Sequence, residues 1–193
     1  FMTYKKQGSR MVSDEFICKA MEIISAKSGV CQLHCENGDV ANYLEDWCIS
    51  QEQVHPRDYP GTCPEWIEEE AINRAINFGA LTHCLTYVVH LSTQKGLERI
   101  KLAQAAGLPV WTETCPQYLL LDASMMEEWG PLAKMGPPLR PQNGPDQPSL
   151  WQGLQQGYIS LVASDHAPHD GDQKQHGWNN VFIQPDGRVV PYG

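Results

Sequence analysis

The sequence predicts an α/β fold of the (β/α)8 barrel kind, present in part, on three observations. Short apolar strand patterns alternate with helical patterns of three to four turns, an order that argues for parallel strands joined by right-handed crossovers. His34, His90 and Asp165 each stand at the C-terminal end of an apolar strand pattern, immediately before a loop. In a barrel such ends converge on one mouth, where barrel enzymes keep their chemistry. No glycine-rich phosphate fingerprint follows any strand, so a doubly wound sheet, which the alternation alone also allows, lacks its main positive sign.

The elements follow in chain order. "GVCQLH" at 29–34 reads as a strand, and "ENGD" supplies turn chemistry and a cap for a helix through "VANYLEDWCIS". The Pro- and Gly-bearing excursion "VHPRDYPGTCP" ends where "EWIEEEAINRAINFGAL" starts a helix, its acidic residues near the N-terminus as the helix dipole prefers. "LTYVVHLS" is the second strand. "STQKGLERIKLAQAAG" is a helix with Ser92 or Thr93 as cap and Gly107 as stop, and "LPVWTETC" is the third strand. Residues 116–148 read as irregular, with most of their Pro and Gly in "GPPLRPQNGPDQP". A short helix, "SLWQGLQQG", leads into the last strand, "YISLVASD", and residues 170–193 read as an irregular loop after it. Residues 1–193 are thus expected to form one incomplete barrel domain.

Bulk properties exclude several functions. With 14 Lys plus Arg against 23 Asp plus Glu, the formal charge is −9, so general attraction to nucleic acid or an anionic membrane is not expected. The longest apolar runs fall far short of a membrane span, and the first residues do not have the build of a signal peptide; a cytoplasmic location is expected. The seven cysteines include no CxxC pair and are expected as buried free thiols. Cys31 and Cys35 flank His34, but alternate strand residues face opposite ways, so neither can share its site.

A lone strand-end histidine is more often hydrogen-bonded structure than a ligand; two of them plus a strand-end aspartate, in barrel order, favour a shared site. Imidazole and carboxylate donors without a nearby thiolate suit zinc or a similar divalent ion, whose bound water is acidified toward neutrality. Asp165 could bind through one oxygen and take the proton of the attacking water through the other. His55, His83, His169 and His176 sit in loop or helix-end contexts that carry little such expectation, and His166 directly follows the proposed ligand.

"FMTYK", "LHCENGDV", "YVVHLS", "LPVWTETCPQYLLLD", "GPPLR" and "SDHAPH" occur in this order, and together they resemble the dihydropyrimidinase and D-hydantoinase family of cyclic amidohydrolases over nearly the whole chain. The resemblance implies a metal-dependent TIM barrel with two divalent ions, usually zinc, bridged by a carboxylated lysine and a hydroxide. It makes His34 and His90 metal ligands, Asp165 both ligand and general base, and Tyr4 the donor to the oxyanion on the attacked carbonyl. It also implies a small cyclic amide or imide as substrate and a homotetramer as the assembly.

Departures from the pattern matter as well. The bridging lysine would precede Phe1, and Lys5 and Lys6, which follow the tyrosine, do not replace it. An earlier H-x-H pair, the early strands and a small β-sandwich are not in the chain. It is therefore expected to cover the second half of a barrel, 193 residues against about 250 for a closed one, and to turn over little by itself. Gly136 stands where relatives have Ser, a mild change if ring contacts are made by backbone. Asp186 falls on a substrate-contacting asparagine and cannot donate as an amide does. The expected reaction is ring opening of dihydropyrimidines or hydantoins. The alternatives are a non-catalytic dihydropyrimidinase-related scaffold and an allantoinase or dihydroorotase, the latter two disfavoured by "ENGD" and "TCPQYLLLD".

Overall fold

In the computed structural model, which describes residues 1–6 and 8–193, four strands form one parallel sheet in the order β1 (Val30–Leu33), β2 (Leu85–Val88), β3 (Val110–Thr114), β4 (Leu161–Val162). Spatial order that follows chain order, without a reversal, is the topology of a barrel segment; a doubly wound sheet changes direction at a switch point. The connections carry α2 (Gly38–Ser50), α3 (Glu65–Thr82), α4 (Gln94–Ala105) and α7 (Asp146–Gln155).

The strand pleat sorts the residues. Cys31, Leu33, Val88 and Val110 face the helices and are buried with Ile72, Ala75, Leu97 and Ile100 from α3 and α4. The alternate positions face the other way, where Val30 is 49% and Trp111 42% exposed; one face of the sheet is covered and the other half open. Gly79 of α3 lets the helix approach β2, since a Cβ there would run into the Thr86 hydroxyl. Caps behave as their chemistry dictates: Asn37 Oδ1 accepts from Val40 N at 3.2 Å to start α2, and Thr93 Oγ1 accepts from Gly96 N at 3.1 Å to start α4.

Several sequence expectations are corrected. An unforeseen helix, α1 (Asp14–Ser25), capped by Ser13, packs Ile17 and Met21 into the core. The excursion after α2 holds a 3-10 helix, Pro56–Thr62, whose His55 and Asp58 form a capping box. The segment read as irregular contains α5 (Pro116–Leu120) and α6 (Met125–Glu128). It is fastened by long-range bonds from Tyr59 Oη to Met135 O, 2.6 Å, and Tyr118 Oη to Pro137 O, 2.7 Å.

The tail is also more regular than expected: α8 (Gly171–Gln175) is followed by a bridge between Ile183 and Val189, with Val181, Phe182 and Val190 fully buried. Two lysines lock it. Lys134 Nζ donates to Val181 O (2.9 Å) and Val190 O (2.8 Å), and Lys174 Nζ to Lys134 O (2.9 Å) and to Gly193 O. All seven cysteines are free and all but Cys18 are buried. Among the described residues no helix is long and apolar enough to cross a membrane.

Candidate active site

The C-terminal ends of the strands open onto a cavity of about 680 Å³ whose wall includes Tyr4, His34, His90, Gly136 and Asp165. The pleat that buries Cys31 and Leu33 against the helices points Gln32 and His34 to the cavity side. Tyr4 is held beside them because residues 1–4 run alongside the end of β1, Met2 N donating to His34 O at 3.2 Å and Gly38 N to Met2 O at 3.1 Å. The Tyr4 and His34 rings lie 4.8 Å apart. Of the eight non-glycine residues with left-handed backbone among those described, three are Tyr4 (φ 66°), His90 (φ 43°) and Asp165 (φ 48°). Such conformations cost about 1–3 kcal/mol each and persist where the surroundings enforce them.

The His34 and His90 rings meet edge to face, centroids 4.4 Å apart, both buried. Burial pushes the pKa of each down to about 3, the neighbouring imidazole adding to it at His90; both rings are neutral and each offers a lone pair. His90 Nδ1 is sealed from solvent without a hydrogen-bond partner, whereas His34 Nε2 lies 2.8 Å from Glu36 Oε2. Two neutral, closely set imidazoles, one with an orphaned nitrogen, fit the donor chemistry of a divalent cation. The trio expected as ligands is not assembled: among the described residues no three His, Cys, Asp or Glu side chains are arranged to hold a metal ion. Asp165 lines the same cavity but follows a two-residue edge strand and is exposed.

Tyr4 is suited to donate. Burial, reinforced by Glu36, raises its pKa well above the usual phenol value, so its hydroxyl stays protonated, and it faces Gly136 O at 3.4 Å. A side chain at Gly136 would run into that hydroxyl, which ties the two positions together sterically.

Asp186 is a correction: it is absent from the cavity wall, and its carboxylate accepts from Arg188 N (3.0 Å) and Arg188 Nε (2.7 Å) in an exposed turn. Tyr192 and Gly193 reach the cavity instead, because the lysine-locked tail folds back. His166 and His169 also line it, as do Arg10, Glu113 and Gln117; for Glu113 the alternation of β3 was a usable signal, and for Arg10 there was none.

Behind the cavity a buried network fixes the loop after β2. Glu68 accepts from Ser92 N (2.9 Å), Ser92 Oγ (3.1 Å) and Thr93 Oγ1. Arg140, from "GPPLR", donates to Ser92 Oγ (3.1 and 2.8 Å) and Cys63 O (2.7 Å), and stands 3.9 Å from the Glu68 carboxylate.

No family model matches the chain. It is 34% identical over 187 residues to an allantoinase of Bacillus velezensis and 32% identical over 165 residues to an allantoinase of Salmonella paratyphi B. Those matches take in 93% and 86% of this chain but 40% and 36% of the relatives' own length. Among solved structures it superposes on D-hydantoinase from Bacillus sp. AR9 with a TM-score of 0.89 at 35% identity, over 98% of this chain and 42% of that one. On D-hydantoinase (dihydropyrimidinase) from Thermus sp. the TM-score is 0.91 at 28% identity, over 100% and 41%.

Proposed function

Since the chain belongs to the amidohydrolase family, we propose that it carries part of the active site of a hydrolase opening the cyclic amide bond of a small ring, a hydantoin or dihydropyrimidine. The observation that carries this reading is the meeting of Tyr4, His34, His90 and Asp165 at one cavity. The relatives are named for allantoin on one side and hydantoins on the other. Allantoin is itself a hydantoin with a ureido substituent, so the five-membered ring is the common denominator. The reading places the sequence's preference for hydantoinases over allantoinase at the level of the ring substituent.

His34 and His90, with Asp165 across the cavity, would hold a divalent ion, zinc by donor type; when bound, it supplies Lewis acidity toward the carbonyl and acidifies water. The chain's own groups do the rest. The Tyr4 hydroxyl donates to the carbonyl oxygen as negative charge develops there, in a site where burial leaves little competition from water. Asp165 takes the proton of the attacking water and returns it to the ring nitrogen as the C–N bond breaks.

The test is ring opening of allantoin, dihydrouracil and 5-phenylhydantoin by a full-length barrel carrying residues 1–193. Tyr4→Phe is expected to lower kcat by about 10²–10³, and Asp165→Asn to abolish turnover. Undiminished turnover in Asp165→Asn would overturn the assignment. No turnover of any ring by the unsubstituted protein would favour a non-catalytic scaffold.

A further inference from the structure

A buried carboxylate outside the cavity wall, Glu36, stands against one of the groups already given roles. His34 and Glu36 stand two residues apart just past the end of β1, and both side chains are 3% exposed. Glu36 Oε2 lies 2.8 Å from His34 Nε2. The other ring nitrogen, Nδ1, makes no hydrogen bond among the described residues and is not one of the sealed, unpartnered atoms; it is the nitrogen left to the cavity. A neutral imidazole has one N–H and one lone pair, and the bond made by one nitrogen decides which keeps the proton.

Resting on the reading above, we propose that Glu36 is a positioning residue that accepts a hydrogen bond from His34 Nε2–H and thereby presents the Nδ1 lone pair to a divalent cation. The carboxylate is on a rigid mount. Asn37 N donates to Ile67 O and Gly38 N to Met2 O, each at 3.1 Å, and Asn37 Nδ2 donates to Glu70 at 2.8 Å. Gly38 sits so close to the first residues that a Cβ would lie 2.6 Å from Thr3 Cα. Glu36 therefore cannot drift without dislodging the start of α2 and the segment that carries Tyr4. Its second oxygen, Oε1, has no protein partner, and Glu36 lines a cavity of about 20 Å³, room for a single water. Carboxylates bonded to the far nitrogen of a metal-ligating imidazole fix its tautomer and ring orientation, and their loss costs about 10–100-fold in metal affinity.

The experiment uses the 193-residue chain, metal-free and labelled with ¹⁵N, with the His34 signals identified by their loss in His34→Gln. Long-range ¹H–¹⁵N spectra are expected to show the proton on Nε2 and a pyridine-type Nδ1. In Glu36→Gln, His34 is expected to populate both tautomers, and Zn²⁺ affinity by equilibrium dialysis to fall about 10–100-fold. A proton on Nδ1 in the unsubstituted chain overturns the proposal, whether or not the variant folds. So does Glu36→Gln with tautomer and Zn²⁺ affinity both unchanged. If the unsubstituted chain, which lacks the H-x-H pair and the bridging lysine, takes up no Zn²⁺, the tautomer alone decides the role of Glu36.

Discussion

Replacing Arg140 by Met removes the buried guanidinium that stands 3.9 Å from the Glu68 carboxylate. Glu68 is 2% exposed, and burial raises its carboxyl pKa to about 7 with Arg140 opposing the rise. The substitution takes away three donated bonds, two to Ser92 Oγ and one to Cys63 O, and leaves the acid without its cation. Breaking a buried pair from one side costs about 3–5 kcal/mol, roughly a fifth or more of the stability of a typical domain. The double variant Glu68→Gln, Arg140→Met leaves neither charge behind. It should lose less than the two single changes added together, with a coupling of about 1–3 kcal/mol.

The cost should also depend on pH. A carboxyl whose pKa is raised on folding contributes stability that is fully present below its unfolded value of about 4.3, and that is lost as pH rises through its folded value, about 7 here. Without Arg140 the folded value climbs further, so the loss continues above pH 7 while the unsubstituted protein has already completed its own. Each unit of additional rise adds about 1.4 kcal/mol. Urea unfolding at pH 6 and pH 9 should therefore show a larger gap between the two proteins at pH 9. A cost below 1 kcal/mol at both values, or strict additivity in the double variant, would refute the claim that this pair holds the loop after β2.

Lys134, fully buried, has its pKa lowered by burial to about 7, so the unfolded chain binds a proton there that the folded one does not, and its contribution, fully present above about 10.4, is lost as pH falls through about 7. Urea midpoints should rise between pH 7 and 8, and Lys134→Met should flatten most of that slope; an unchanged slope would refute the assignment. Titration of the native protein with an aromatic disulfide should release one equivalent quickly, from Cys18, and the other six thiols only on unfolding; several fast equivalents would mean the buried cysteines are accessible.

What the sequence made legible divides along physical lines. The strand and helix succession was readable because β1 to β3 carry period-two burial, and because Asn37 and Thr93 announce helix starts through their own local bonds. α1 was legible by the same signals, a Ser13 cap and apolar positions at 17 and 21 on one face of a strongly amphipathic segment. α5, α6 and the tail owe their form to partners far along the chain, such as Tyr59 with Met135 and Lys134 with Val181. No local pattern encodes those. Asp186 was carried over from the resemblance as the position of a substrate-contacting asparagine, and its carboxylate is instead turned onto Arg188 two residues on.

The site itself shows where strand-end reading stops. Position alone picked out His34, His90 and Asp165, yet the chain leaves the extended path at His90 and Asp165, and at Tyr4 before β1, entering a region that L-residues avoid. Those turns stop the chain from continuing as sheet and swing the side chains over the strand ends. Around His90 the opposing bonds are visible: Leu91 N donates to Glu113 O at 2.8 Å, Thr114 Oγ1 to Leu91 O at 2.7 Å, and Ser92 is held by Glu68 and Arg140 together. The polar groups that look least catalytic thus offset the strain at the residue that looks most so. A change at Arg140 should accordingly reach the His34–His90 pair without touching either ring.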